Sequence, residues 1–226
     1  MNPGPEDRSR ESPPLTDFVP RLLVVSAPLD EAGAADALAA ALAALAPGDV
    51  AALVLRGGTL DDAAFAARIA PLVPRAQQRD IAVLLEERPE LLAQSGADGL
   101  HLPVTEKRSP LKELRRRFGD GVILGAGCGA SRHAAMTAGE QGADYIGFGD
   151  LPGMPDGAAA DLETVAWWEV MMTPPQVAFG ARDLEGLARL AAAGPDFVAL
   201  GPALWPGAGD PAAALEAVRG ALGARS

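Results

Sequence analysis

Cys128 and His101 are the residues whose types best suit covalent catalysis. Each lies at the end of a predicted strand, and the two strands are neighbours along the chain. A thiolate beside an imidazole is a nucleophile paired with its base. The alternative, which we favour, is a buried thiol near a structural histidine.

Charged and small residues follow several other apolar runs of the sequence. Arginine and glutamate follow two of the early runs, in Arg56-Gly57-Gly58 and Glu86-Glu87-Arg88. Glycines follow two of the late runs, in Gly180-Ala181-Arg182 and Gly201-Pro202-Ala203. These residues can form one site only if the fold gathers the ends of the runs in one place.

A short phrase that recurs along the chain indicates how the elements are arranged. It consists of a glycine, an alanine or proline, an aspartate and an apolar run, and it begins at Gly96, Gly142 and Gly194, with a looser copy at Gly48. The spacings are therefore 48, 46 and 52 residues. A glycine in this position ends a helix, and the apolar run predicts a strand. Each spacing accommodates two strand–helix units, so the repeat predicts a fold of recurring units.

Alignment of the copies separates two faces of the predicted strands, because side chains alternate along a strand. One face carries mainly small residues: His101, Gly147, Ala199, Pro103, Gly149 and Gly201. The other face carries bulky residues: Leu100, Ile146, Val198, Leu102, Phe148 and Leu200. We expect the bulky face to pack beneath helices and the small face to point towards a crowded barrel axis, with room for a ligand at the strand ends.

Eight apolar runs alternate with helix-like stretches. The predicted strands lie near 21–26, 50–55, 81–86, 98–102, 122–126, 144–148, 176–180 and 196–201. The predicted helices lie near 31–46, 61–79, 89–95, 109–118, 131–141, 161–172, 183–193 and 211–222. Strict alternation predicts a parallel sheet, and eight short units predict an α/β fold, a single closed (β/α)8 TIM barrel, with a doubly wound open sheet as the alternative. A barrel of this kind carries its site at the carboxyl ends of the strands.

The composition limits the class of protein. A length of 226 residues, 49% of them apolar, fits one globular domain, which we place at 18–226. Residues 1–17 are rich in proline, serine and charge and predict a disordered tail rather than a signal peptide. The single cysteine fits a reducing cytoplasm. A net charge of −11 argues against nucleic acid as a partner, and the lack of a long apolar run argues against a membrane span.

The segments 96–102 and 142–149 carry a resemblance to a known family. They read Gly-Ala-Asp-Gly-Leu-His-Leu and Gly-Ala-Asp-Tyr-Ile-Gly-Phe-Gly, and in them the chain resembles the thiamine phosphate synthase family, which includes the thiazole tautomerases. The resemblance covers 21–222 and implies an enzyme of thiamine biosynthesis that couples a pyrimidine diphosphate to a thiazole phosphate with Mg²⁺. The implied partners are phosphorylated small molecules, and formation of a homo-oligomer remains open.

The resemblance also implies roles for particular residues, although the signatures are altered. The family's Gln-x-Arg-x-Lys of strand 2 keeps Arg56 but has Gly58 in place of the lysine. Its Asn-Asp-Arg of strand 3 keeps an acid and the arginine, at Glu87 and Arg88. Arg56 and Arg88 would be the catalytic cations, with Arg56 also binding phosphate, and Glu87 and Glu106 would be magnesium ligands. The alternatives are a salt bridge across the barrel mouth for Arg56 and solvated glutamates at a loop rim.

The ends of strands 7 and 8 are where barrels often hold a phosphate on backbone N–H groups. The family has Gly-Gly and Ser-Ala there, and this chain has Gly180-Ala181 and Pro202-Ala203. The implied monophosphate site comprises Gly180, Ala181, Gly201 and Ala203. Pro202 removes one donor, and ordinary tight turns are the alternative.

Two further departures concern activity. The segment 151–157 after strand 6 lacks the family's threonines and lysine, which hold the diphosphate, and Gly129 replaces the tautomerase histidine. We therefore expect weak or lost synthase activity and no tautomerase activity. Two other hypotheses stay open: a non-catalytic barrel that binds a phosphorylated metabolite or regulates a partner, and an enzyme of the same fold with a changed substrate.

Overall fold

The computed structural model describes residues 19–152, 157–205 and 209–223. Eight parallel strands in these segments form a closed barrel in chain order. The strands are β1 (Arg21–Pro28), β2 (Ala52–Arg56), β3 (Ala82–Glu86), β4 (Gly99–Pro103), β5 (Ile123–Gly127), β6 (Tyr145–Phe148), β7 (Gln176–Ala178) and β8 (Phe197–Leu200). The predicted (β/α)8 TIM barrel is confirmed, and the open sheet is excluded. The predicted tail lies outside the described residues.

Helices follow the strands around the outside of the barrel. They are α1 (Ala34–Ala44), α2 (Asp62–Ile69), α3 (Val73–Gln77), α4 (Leu92–Ser95), α5 (Leu111–Phe118), α6 (Arg132–Glu140), α7 (Leu162–Met171), α8 (Leu184–Ala192) and α9 (Pro211–Gly223). The single helix predicted near 61–79 is two helices, because Pro71 and Pro74 fall at the junction and proline is tolerated only in the first turn of a helix. None of the described helices is long and apolar enough to span a bilayer.

The two predicted faces of the strands lie in two separate clusters. The bulky residues, such as Leu100, Ile146 and Val198, belong to the large cluster that packs against the helices. A smaller cluster fills the barrel interior and includes Val25, Val54, Tyr145 and Phe179. The expected division between an outer apolar face and a crowded axis is therefore confirmed.

Two aromatic rings fill the interior because glycines lie opposite them. A Cβ atom at Gly125 would overlap the ring of Tyr145, which stands opposite it on the next strand. A Cβ atom at Gly147 would overlap the ring of Phe179 in the same way. Each glycine thus leaves the volume that an aromatic ring occupies, the ring of Tyr145 on β6 or that of Phe179 just after β7.

The aspartates of the repeated phrase fasten neighbouring strands at the opposite end of the barrel. The carboxylate of Asp98 accepts a hydrogen bond from the backbone N–H of Val83 at 2.7 Å. Asp144 and Asp196 accept equivalent bonds from the N–H groups of Leu124, at 2.7 Å, and Gln176, at 2.8 Å. The phrase therefore joins β4 to β3, β6 to β5 and β8 to β7, and this holds the register that aligns the strand ends at the site.

Candidate active site

Two adjacent cavities open at the carboxyl ends of the strands. The first, which we call the β7–β8 cavity, has a volume of about 210 Å³. The second, the β3–β6 cavity, has a volume of about 170 Å³. Asp150 and Leu151, just after β6, line both cavities. The barrel mouth can therefore hold two groups side by side, with the β6 end between them.

The β7–β8 cavity contains every residue of the predicted monophosphate site. Gly180, Ala181, Gly201 and Ala203 all line it. Gly180 has a φ of +94°, a conformation that glycine adopts without strain. The segment after β6 also approaches these residues, because a Cβ atom at Gly201 would overlap Pro152 and one at Gly180 would overlap Ala159. The glycines thus serve the packing of the chain itself as well as the shape of the cavity.

Arg182 also lines the β7–β8 cavity, and sequence reasoning assigned it no role. Its Nη2 donates to the backbone carbonyl of Gly157 at 2.8 Å. The side chain follows Gly180-Ala181 directly at the end of β7, so its position along the chain was the available signal. The other charged residues around this cavity are Glu31 and Asp150.

Arg56 is buried at the barrel mouth, with 8% of its surface exposed. Its Nε donates to Glu86 on the neighbouring strand at 3.3 Å, and its Nη1 donates to the carbonyl of Pro152 at 3.0 Å. Burial raises the pKa of Glu86, and the attraction of Arg56 partly offsets this effect. Arg56 therefore forms a salt bridge, but with the neighbouring strand and not across the mouth as the alternative had it, and its contact with Pro152 links β2 to the segment after β6.

Arg88 lies on the outer side of the mouth, against α2. Its Nη1 contacts Asp62 at 2.5 Å, and its Nη2 donates to the carbonyl of Leu60 at 2.9 Å. The guanidinium lies 5.6 Å from the centre of the Phe65 ring. The structure thus holds Arg88 by its contacts with α2, whereas Arg56 is held by β3 and the β6 end.

The two predicted magnesium ligands occupy different surroundings. Glu87 lines the β3–β6 cavity together with Glu86 and Asp150, and its φ is +50°. Glu106 accepts a hydrogen bond from the hydroxyl of Ser131 at the start of α6, at 2.9 Å. Within 19–152, 157–205 and 209–223, no group of three or more His, Cys, Asp or Glu residues could hold a metal ion. Magnesium commonly takes one or two carboxylates together with phosphate oxygens, and the carboxylates that line this cavity are Glu86, Glu87 and Asp150.

His101 belongs to the floor of the β3–β6 cavity and not to a pair with Cys128. Its Nδ1 lies 2.7 Å from the hydroxyl of Tyr145, and the two rings stack. Burial lowers the pKa of His101 to about 4, so the ring is neutral near pH 7. Cys128 belongs to the outer cluster, and burial raises the pKa of its thiol to about 12. The thiolate–imidazole pair is therefore excluded, and the buried thiol is confirmed.

Comparison with known proteins agrees with the family that the sequence resembles. The family model for thiamine monophosphate synthase matches residues 22–204. The thiamine-phosphate synthase of Rhodospirillum centenum is 41% identical over 201 residues, 86% of this chain and 94% of that protein. The protein of the same name from Hyphomonas neptunium is 38% identical over 180 residues, 76% of this chain and 80% of that protein.

Solved structures show the same architecture. The thiamine phosphate pyrophosphorylase from Pyrococcus furiosus superposes with a TM-score of 0.73 over 89% of this chain and 95% of that one, at 21% identity. At this identity the superposition shows the fold alone. Because the family model matches residues 22–204 and the two similar sequences cover 86% and 76% of the chain, the chain belongs to the thiamine phosphate synthase family.

Proposed function

We propose that this protein couples a pyrimidine diphosphate to a thiazole phosphate, the reaction of a thiamine phosphate synthase. The observation that carries the proposal is the pair of adjacent cavities that share Asp150 and Leu151. A coupling enzyme must hold two substrates with their reacting atoms close together. The names of the Rhodospirillum centenum and Hyphomonas neptunium relatives support this choice of reaction.

The thiazole phosphate would occupy the β7–β8 cavity. Backbone N–H groups near Gly180, Ala181 and Ala203 would bind its phosphate, as barrels commonly do at this position. The pyrimidine would lie in the β3–β6 cavity above His101, with its diphosphate towards Arg56 and Arg88. Glu87 and a second carboxylate would hold Mg²⁺, which would neutralise charge on the departing diphosphate. The second carboxylate would be Asp150, or Glu106 if its hydrogen bond with Ser131 is broken.

Stabilisation of the diphosphate is the weak point of the site. The family lysine of strand 2 is absent at Gly58, and the carboxylate of Asp30 occupies the space where a Cβ at that position would lie. Asp30 is held there by the backbone N–H and the hydroxyl of Thr59, at 2.9 and 2.6 Å. A negative charge thus stands where a positive one would be useful. We propose that the reaction is slow for this reason.

A second candidate function is a barrel that binds a phosphorylated metabolite without turning it over. The observation that favours it is that both proposed catalytic arginines form ion pairs, Arg56 with Glu86 and Arg88 with Asp62. A guanidinium already neutralised by a carboxylate contributes less to a developing negative charge. Binding of a monophosphate at β7–β8 would not depend on these arginines.

A kinetic assay separates the two candidates. Steady-state turnover is measured with both precursors and Mg²⁺, beside calorimetry with thiazole phosphate alone, and the Rhodospirillum centenum protein serves as the parallel control. Loss of one preorganised donor costs about 10²–10³ in rate. This chain lacks two groups of donors, the strand 2 lysine at Gly58 and the lysine and threonines of the segment 151–157. If these two losses are independent, turnover should fall by about 10⁴–10⁶. We expect thiazole phosphate binding to persist. Turnover close to that of the control would contradict the proposed slow reaction, and complete absence of turnover with intact binding would favour the second candidate.

A further inference from the structure

We propose that Arg182 selects a phosphate monoester in the β7–β8 cavity over the corresponding alcohol. The identity of the ligand, a thiazole phosphate, rests on the proposed function. The choice of Arg182 rests on the structure. Three observations support it: the charges around the cavity, the donors at the end of β8, and the present partner of the guanidinium.

The charges around the cavity require a cation. Among the residues described around the cavity, Glu31 and Asp150 carry carboxylates, and Arg182 is the one basic side chain. A phosphate dianion beside two carboxylates would be repelled if no positive charge stood nearby. Arg182 is placed to supply that charge within the cavity itself.

The end of β8 offers fewer donors than a phosphate site there usually has. Pro202 lines the cavity and has no N–H group. A guanidinium carries five N–H donors in a planar arrangement that matches phosphate oxygens in pairs. Arg182 therefore replaces a missing backbone donor with a charged and bidentate one.

The present partner of Arg182 is one that a phosphate can displace. Its Nη2 donates to the neutral carbonyl of Gly157, and the residue is exposed to solvent. Arg56 and Arg88, by contrast, contact the carboxylates of Glu86 and Asp62. A hydrogen bond between two charged groups is stronger than one to a carbonyl, so exchange of Gly157 for a phosphate dianion is favourable. Of the three arginines Arg56, Arg88 and Arg182, Arg182 is thus the one that can turn to a ligand without leaving a carboxylate unpaired.

The test compares binding of thiazole phosphate, thiazole alcohol and inorganic phosphate by calorimetry in the full chain. The variants are Arg182→Gln, Arg182→Lys and the matched control Arg189→Gln. Arg189 is an exposed arginine on α8 that pairs with Glu185 and lines a neighbouring cavity. We expect Arg182→Gln to weaken thiazole phosphate and inorganic phosphate by about 10- to 100-fold while leaving the alcohol unchanged. Arg182→Lys should recover part of the loss, and Arg189→Gln should bind as the unmodified chain does.

The outcomes separate this inference from the proposed function. If Arg182→Gln binds both phosphates as tightly as the unmodified chain, the inference about Arg182 is wrong. If inorganic phosphate binds in an Arg182-dependent way but thiazole phosphate does not bind, the inference stands and the proposed substrate is wrong. If Arg182→Gln weakens binding of the thiazole alcohol as much as binding of thiazole phosphate, Arg182 shapes the cavity and does not recognise the phosphate.

Discussion

His101 is a buried neutral imidazole whose protonation would disturb the barrel interior. Its neighbours there are the stacked Tyr145 ring, the edge of Phe179 and the nearby positive charge of Arg56. Burial and, to a smaller extent, Arg56 lower its pKa from 6.5 to about 4. Between these two values the unfolded chain binds a proton that the folded protein does not, so acid favours unfolding.

We therefore predict that the free energy of unfolding falls as the pH drops from about 7.5 to about 4.5, with His101 contributing about 2–3 kcal/mol of the loss. Urea unfolding at several pH values measures this. In His101→Gln the slope over this range should become shallower. His133→Gln, at an exposed position on α6, is the control and should keep the original slope. Glu86 has a raised pKa and acts in the opposite direction, so only the difference between variants tests His101.

The aspartates of the repeated phrase each join two neighbouring strands by accepting a backbone hydrogen bond. Asp98 accepts hydrogen bonds from the Val83 N–H and from the Gln77 side chain, at 2.7 and 3.1 Å. Both partners are neutral, so an amide oxygen can replace the carboxylate. Removal of the acceptor leaves the first residues of β3 with an unpaired donor.

We predict that Asp98→Ala lowers the free energy of unfolding by about 1–3 kcal/mol, the usual cost of an unsatisfied backbone group. Asp98→Asn should retain most of the stability, because its side-chain oxygen can still accept from Val83. Chemical denaturation of both variants measures the difference. Equal losses in the two would show that the charge of Asp98, and not its role as acceptor, stabilises the strand pair.

The elements were largely predictable from the sequence, and the side-chain partners were not. Strands were found because apolar runs and helix-ending glycines are local signals, and β4 and β6 begin at Gly99 and Tyr145, just after Gly96 and Gly142. The four residues of the predicted monophosphate site line one cavity at the strand ends, and their role in binding phosphate stays a prediction. The orientation of Arg88 towards Asp62 could not be foreseen, because the position of α2 decides it. Asp98 could be recognised in the sequence as part of the repeat. Its hydrogen-bond partner, the N–H of Val83 on β3, could not, because the two residues meet only when the barrel closes.

At the scale of the whole molecule, the barrel contains the hydrophobic core of the described chain. Residues 1–17 have no apolar face to bury in such a core, and their composition suits a solvated segment. We predict that deletion of these residues leaves the melting temperature within about 2 °C, because 1 kcal/mol shifts a domain of this size by roughly 2–4 °C. Differential scanning calorimetry of the full and shortened chains measures the change. A larger drop would show that the tail docks on the barrel.

The glycines opposite Tyr145 and Phe179 restrict how this barrel can change its sequence. The ring of Tyr145 lies where a side chain at Gly125 would have to be, and Phe179 stands in the same relation to Gly147. An added methyl group in a filled interior typically costs about 1–3 kcal/mol, so neither partner can vary freely while the other is kept. In the history of the family, a larger residue at position 125 or 147 should therefore accompany a smaller one at position 145 or 179. We therefore expect each glycine and the ring opposite it to change together.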